Sequence, residues 1–440
     1  MPSRRSQSGQ VLLLALLLAA VGAFLLLAVF SSGQVLATRD RLVGAADAAA
    51  LSAATWRARV LNTIAYTNRA IVAQEVALAQ SVTLASWARH FDSLAGNAEA
   101  LAALHPAAAA LLASISSVAE VGREAAEHAS SLEQRWRADE SLGDKVLLAR
   151  SQEWLLRSAD VFALGALANE VVRATDSRFF AFALSDGGDF SRFTARQETP
   201  EARGRLREVI LASLDGYSAR PRSSDLRVLL PSSCVGGSSD LNRWTLWLRR
   251  RGGTALHDTL ETWSAIDTTS LHDWRRRGFL WFGSCSDRET LALGWGSAGG
   301  ELSFKGGQGD AARVNPGATG LARAAGEPSI AGLAGLPRVH DLSAAAAGGE
   351  AISRLAVLAR VERRALATVD RLGVAAGRMR VADGSAAEHL WAISAAEVFF
   401  SAPPEPGLAP QRPSLFSPFW QARLAKPSAS EHAAARAYVR

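Results

Sequence analysis

Twenty residues without a charge or a proline, Val11–Phe30, set the first limit on what this chain can become. A helix rises ~1.5 Å per residue, so this stretch would be roughly 30 Å long, the thickness of a bilayer's hydrocarbon core. A polar joint, Ser31-Ser32-Gly33-Gln34, follows it, and then a small-residue run from Leu42 to Ala54. Arg4 and Arg5 precede the apolar stretch, and the first basic residues after it, Arg39 and Arg41, flank the acidic Asp40. That bias keeps the N-terminus in the cytoplasm and sends the rest outward, to the periplasmic side of a bacterial inner membrane. The rival is a cleaved signal peptide, with Val35-Leu36-Ala37 as its cleavage pattern and Thr38 as the mature start. Signal peptides carry apolar cores of roughly 7–15 residues, so an uncleaved anchor is the expectation.

Lysine and arginine number 48 against 42 aspartates and glutamates, a net charge of +6. The arginines are scattered, with local triplets at Arg249–Arg251 and Arg275–Arg277. Nucleic-acid binding would need them gathered with aromatics on one face, so nucleic acid is not an expected partner. Two cysteines occur, Cys234 and Cys285. In an oxidising compartment they form one disulfide, closing a loop of about fifty residues and worth roughly 4 kcal/mol by chain entropy. In a reducing one they are two buried thiols.

The expected fold class is α+β. A cytoplasmic leader (1–10) and a transmembrane helix (11–30) lead into a helical region (31–176), rich in good helix formers with Pro106 as its one proline. Breaks are expected near Gly96-Asn97, His105-Pro106 and Ser141–Asp144. Asp47 sits alone among alanines. It is either a solvated residue or a pairing group where small side chains let another helix come close. Leu61, Ile64, Asn68, Ile71, Glu75, Ala79 and Val82 make a helical stripe, interrupted by Asn68 and Glu75. These two either fix the register of a helix contact or, on the simpler reading of a narrower apolar arc, face water.

After Asp176, aromatics, glycines and prolines become common, and residues 177–440 read as a strand-rich extracytoplasmic domain. Arg178–Leu184, Leu226–Leu230, Trp244–Leu248, Phe279–Phe282 and Leu291–Trp295 read as short strands, and Glu201–Leu214 as a helix. Residues 305–349 read as a long loop, Ile352–Arg360 as strand or helix, and Ala386–Phe400 as helical at its start. A proline-rich arm then leads to Phe416, Phe419 and Trp420, a cluster too apolar for a free tail and a candidate partner surface. Residues 431–440 are expected to fray.

No pattern of catalytic groups emerges. His257-Asp258 and His272-Asp273 lack the further ligands that a metal phosphohydrolase needs. Gly294–Gly299 fails the nucleophile-elbow spacing, and Lys305–Gly309 lacks the Gly-Lys-Ser/Thr of a phosphate cradle. No catalytic residue, metal ligand or cofactor is therefore named, and the chain is not expected to be an enzyme.

Gln7-Ser8-Gly9-Gln10 before the apolar stretch, with Ala46-Asp47-Ala48-Ala49-Ala50-Leu51 after it, resembles the TadG-like N-terminal domain of Tad (Flp) pilus-assembly proteins. Leu61–Ala70, Ile393–Phe400 and Ser414–Leu424 are similar to the continuation in longer members of that group. The resemblance implies an inner-membrane protein facing the periplasm, with other pilus-assembly proteins or pilin subunits as partners. Pseudopilins of such systems are cut after a glycine, and Gly9 stands at the matching place. Leu14 occupies the position of the usual glutamate, which favours a permanent anchor. The Asp-x-Ser-x-Ser pattern of von Willebrand A domains, which some members carry, is absent. The expected role is a non-enzymatic scaffold of pilus assembly; the alternative is a tethered periplasmic ligand-binding protein or hydrolase.

Overall fold

The structure, a computed structural model, describes residues 8–104, 122, 124, 128, 140–184, 189–196, 200–229, 244–256, 263–277, 284–299, 310–325, 339–347, 352–366, 388–404, 406–407 and 409–439. The fold is α+β. Helix α1 spans Ser8–Leu104, α2 Glu140–Ser158 and α3 Val161–Thr175. Strand β1 (Phe180–Leu184), α4 (Asp189–Phe193), β2 (Thr194–Arg196) and α5 (Pro200–Ala212) follow. Then come β3 (Ser224–Leu229), β4 (Trp244–Leu256), β5 (Trp263–Arg277) and β6 (Ser284–Gly299). The last third holds α6 (Ala311–Val314), α7 (Pro316–Ala325), β7 (His340–Leu342), α8 (Ala344–Ala347), β8 (Ile352–Glu362), β9 (His389–Phe400), β10 (Trp420–Ala425) and α9 (Ala429–Val439).

Several sequence expectations change. Helix α1 runs through Gly96-Asn97 without a break. There the Asn97 Nδ2 donates to Ser93 O at 2.9 Å and to Leu293 O at 3.0 Å, so the residue ties the helix to strand β6. The break expected near Ser141–Asp144 falls within the first turn of α2, which begins at Glu140. Ala386–Phe400 yields a strand, β9, because it lies between β8 and β10 and is buried on both faces, which overrides the helical preference of its alanines. Ile352–Arg360 is strand β8. The expected loop over 305–349 contains α7, whose packed face is made of Ala318, Thr319 and Ala322 and offers little apolar contrast. The end expected to fray forms α9. The expected strand Phe279–Phe282 lies outside the described residues.

The chain divides into two compact units interleaved in sequence. The first comprises residues 1–66, 152–196 and 340–440, the second residues 67–151 and 197–339. A linear order of helical region followed by strand-rich domain does not describe this division, since both units take residues from α1 and from strands.

In the first unit, β1-β8-β9-β10 form an antiparallel sheet. One face carries Ala181, Val357, Ala359, Ala392, Ala396 and Val398, packed in a core with Leu42, Ala45, Ala46, Ala49, Ala50 and Ala54 of α1. With nothing longer than a methyl on most of this stretch, the helix can lie close to the sheet and gain many dispersion contacts. The opposite face holds Leu184, Ala356, Leu358 and Ala395, closed by Ala435 of α9.

In the second unit, β3-β4-β5-β6 form an antiparallel sheet. Phe91 and Leu94 of α1 pack on Leu293, Leu248 and Leu271. The approach is closest at Gly296, where an added Cβ would stand 2.1 Å from Ser86 O and 2.4 Å from His90 N. Only glycine lets helix and strand meet there.

Candidate functional site

The N-terminal third of α1 is the segment with the clearest functional character. From Val11 to Phe30 its large side chains are exposed or half-buried, so this apolar surface has no partner within the described residues. By length and composition the helix is a candidate membrane span. Within twelve residues of Phe30 the same helix enters a protein core at Leu42, which is fully buried.

Asp47 lies at the border of these surroundings. Its neighbours Ala45, Ala46, Ala49 and Ala50 are buried, Val43 and Leu51 are exposed, and Asp47 itself is half-buried. The close contacts that the small residues permit are with the chain's own sheet and with α3, whose Ala168 and Val172 lie in the same core. A few turns on, Asn62 meets strand β10 edge-on. Its Nδ2 donates to Trp420 O and its Oδ1 accepts from Trp420 N, both at 2.9 Å. The side-chain amide thus behaves as one more residue of a neighbouring strand. Strands β9 and β10 pair from Trp420–Phe400 to Ala425–Ala395, so Leu61–Asn62, Ile393–Phe400 and Ser414–Leu424 converge in the first unit.

Arg57 is an element that sequence reasoning missed. It is 3% exposed; its Nη1 donates to Ser353 Oγ at 2.9 Å and Arg354 O at 3.2 Å, and its Nη2 to Ala159 O at 3.4 Å. Its guanidinium lies 4.3 Å from the Phe190 ring centre. The alanines around Arg57 give no hint of these partners, which lie about a hundred to three hundred residues away.

The aromatic cluster divides. Trp420 is 3% exposed and belongs to the core, with Phe193 and Phe400 packed edge-on at 5.6 and 5.4 Å. It is therefore not surface. Phe416 and Phe419 are half-buried, and Phe419 stacks edge-on against Phe400 at 6.2 Å.

Asn68 and Glu75 do not face water: both are buried, Glu75 at 3% exposure. In the second unit, Glu75 Oε1 pairs with Lys145 Nζ of α2 at 2.5 Å, and its Oε2 accepts from Trp263 Nε1 at 2.9 Å. The apolar arc is therefore wide enough to include them, and the buried carboxylate is tolerated because both its oxygens are used. Cys234 and the side chain of Cys285 lie outside the described residues, as does His257-Asp258. His272 is buried, its Nε2 2.9 Å from Asn315 Oδ1 and its Nδ1 3.3 Å from Asp287.

The densest polar group in the second unit is built on Arg222 and Asp267. Arg222 Nε and Nη2 donate to the two Asp267 oxygens, each at 2.8 Å. Ser86 Oγ adds a bond to Asp267 at 3.0 Å, and Thr254 accepts from Arg222 at 3.1 Å. Gly252 leaves the room, since a Cβ there would stand 2.5 Å from Asp267 Oδ1. Nearby, His90 Nε2 lies 2.7 Å from Thr269 Oγ1. Burial pulls the His90 pKa down to about 4; the Asp267 charge opposes this, and Arg250 and Arg222 reinforce it. His90 is thus a neutral hydrogen-bonding group near neutral pH. Every member of this network is held by another part of the same unit, as in a core that fixes one packing arrangement.

Residues 9–57 match the Tad family model, described as Flp pilus-assembly TadE/G-like. The match covers the candidate span, the Asp47 run and Arg57, and points to a role connected with pilus assembly. No curated protein and no solved structure matches the chain.

Proposed function

We propose that this protein is a single-pass membrane component of Tad/Flp-type pilus assembly, acting as a scaffold and not as an enzyme. Its N-terminus lies in the cytoplasm, Val11–Phe30 crosses the inner membrane, and the folded units lie in the periplasm. The observation that carries this reading is the Flp pilus-assembly match at residues 9–57, laid over an exposed apolar helix that continues directly into a folded core. Arg4 and Arg5 ahead of the helix favour the stated direction. Function then rests on contacts: the span recruits the protein to the assembly platform, and the periplasmic surface, with Phe416 and Phe419 on it, meets pilins or other assembly proteins.

Deleting the gene tests the role. The expected result is loss of surface pili in electron micrographs, restored by the intact gene. Wild-type piliation in the deletion strain overturns the proposal. Topology is read separately: alkaline carbonate should leave the chain in the membrane pellet, and protease should cut the C-terminal bulk only once the periplasm is opened.

A further inference from the structure

The folded body of the first unit begins very close to the end of the apolar span. Helix α1 is unbroken from Ser8, and Val35 already packs against the core of that unit. At ~1.5 Å per residue, Val35 stands about 7 Å beyond Phe30 along the helix, and Arg41 about 16 Å. The headgroup layer on each side of the hydrocarbon is itself ~5–8 Å thick. Val35 therefore stands at headgroup height, while Arg39 and Arg41 stand beyond that layer and reach back to it through long side chains that lean towards the helix N-terminus.

The elements at that end can be named. Leu42, next to Arg41 on α1, shares a core with Val172 near the end of α3 and with Val361 and Leu366, and Asp176 follows α3 directly. Arg178 Nη2 pairs with Asp176 at 2.6 Å, and its Nη1 donates to Ala365 O at 3.0 Å. This brings in the turn Arg363–Ala365, where Arg364 pairs with Glu362 at 2.5 Å. Strand register sets Arg360 beside Phe180, whose ring is 43% exposed. Arg39 and Arg41 are exposed on the helix itself. Six arginines thus stand against Asp176 and Glu362, which Arg178 and Arg364 pair, and the adjacent Asp40 and Glu388, so the end is net positive and carries an exposed aromatic residue. Basic and aromatic side chains together suit a membrane–water boundary.

We propose that this end of the first unit, through Arg39, Arg41 and Arg364 with Phe180 beside them, binds anionic phospholipid headgroups of the membrane that α1 crosses. The occupant is the bilayer because the span delivers the surface to it at a fixed height. The inference rests on the membrane-anchored reading above.

The full chain is reconstituted in bilayers of equal phosphatidylcholine and phosphatidylglycerol, re-extracted in mild detergent, and its retained lipids are identified by mass spectrometry. Each engaged arginine should favour the anionic lipid by about fivefold. Wild-type protein should retain phosphatidylglycerol over phosphatidylcholine at a ratio several-fold above the bulk ratio of about one. The Arg39→Gln/Arg41→Gln/Arg364→Gln variant should fall to the bulk ratio. Arg59→Gln/Arg157→Gln, which removes exposed arginines away from the headgroups, should behave as wild type. A bulk ratio in the wild type, or an unchanged preference in the triple variant, overturns the inference. Carbonate extraction of the same samples separates the two readings. Protein that stays in the pellet but shows no lipid preference sinks this inference alone; protein that is washed free sinks the anchored reading as well.

Discussion

Replacing Asp267 with asparagine removes one charge and almost no volume from a deeply buried ion pair of the second unit. Arg222 and Asp267 are 5% and 0% exposed, and the carboxylate accepts bonds from Arg222, Ser86 and, at 3.4 Å, Arg250. Asparagine can accept at one atom only, and its NH2 faces guanidinium donors. Arg222 stays buried without its counter-charge. Breaking a buried pair in this way costs about 3–5 kcal/mol, against a total of ~5–15 kcal/mol for a typical domain. Amide hydrogen exchange of the full chain in detergent reads this directly. The slowest β5 amides, Ile266 to Ser270, should exchange about a hundred- to several-thousand-fold faster in D267N. A change below about tenfold would refute the reasoning, because it would mean that water or another group already serves the pair. The double variant Arg222→Met/Asp267→Leu should recover much of the loss, since no charge is then left buried.

Gly296→Val should destabilise the second unit by at least about 3 kcal/mol, because the new atoms meet backbone of α1 at Ser86 and His90 and neither side can yield cheaply; a thermal melt close to wild type would contradict the close approach. His90 makes stability pH-dependent in a defined direction. Its folded pKa, about 4, lies below the 6.5 of the unfolded chain, so the unfolded state binds the proton first. Full stability holds above pH 6.5, and about 3 kcal/mol should be lost as the pH falls towards 4, a slope in urea midpoints that His90→Asn should flatten. Asn62→Ala leaves Trp420 N–H and C=O without their partners and should cost the first unit about 1–3 kcal/mol, seen as weakened near-ultraviolet circular dichroism on heating, while Thr63→Ala on the exposed side should cost little.

The candidate membrane span needed no tertiary knowledge to be read, since twenty apolar residues have few other uses. The alanine run after it was legible as a packing face, and a helix, α3, does share its core; the sheet that packs there too was not legible, because close approach suits a sheet as well as a helix and the matching strand residues are themselves small. Strand β9 was illegible for the same reason. A central strand buried on both sides shows no alternation, and its alanines vote for helix. For Asn68 and Glu75 a helix contact and a water-facing side both stayed open in the sequence, because the partner that makes a buried Glu75 tolerable, Lys145 of α2, lies 70 residues away. Arg222 and Asp267 escaped notice altogether. One is an arginine among many and the other sits amid threonines, and only the pairing of β4 with β5 and the bend before β3 bring them together.

Closing the first unit with Asn62 against Trp420 has a kinetic consequence. The two residues are separated by 358 positions. At ~5–20 residues per second, the ribosome needs roughly 20–70 s to make what lies between them. During that time the apolar side of Leu42–Ile64 waits for strands not yet synthesised. Nascent chains must therefore keep this helix face from pairing with neighbours until the last fifth of the polypeptide is made, and a ribosome that stalls late leaves a sticky stalk instead of a folded protein.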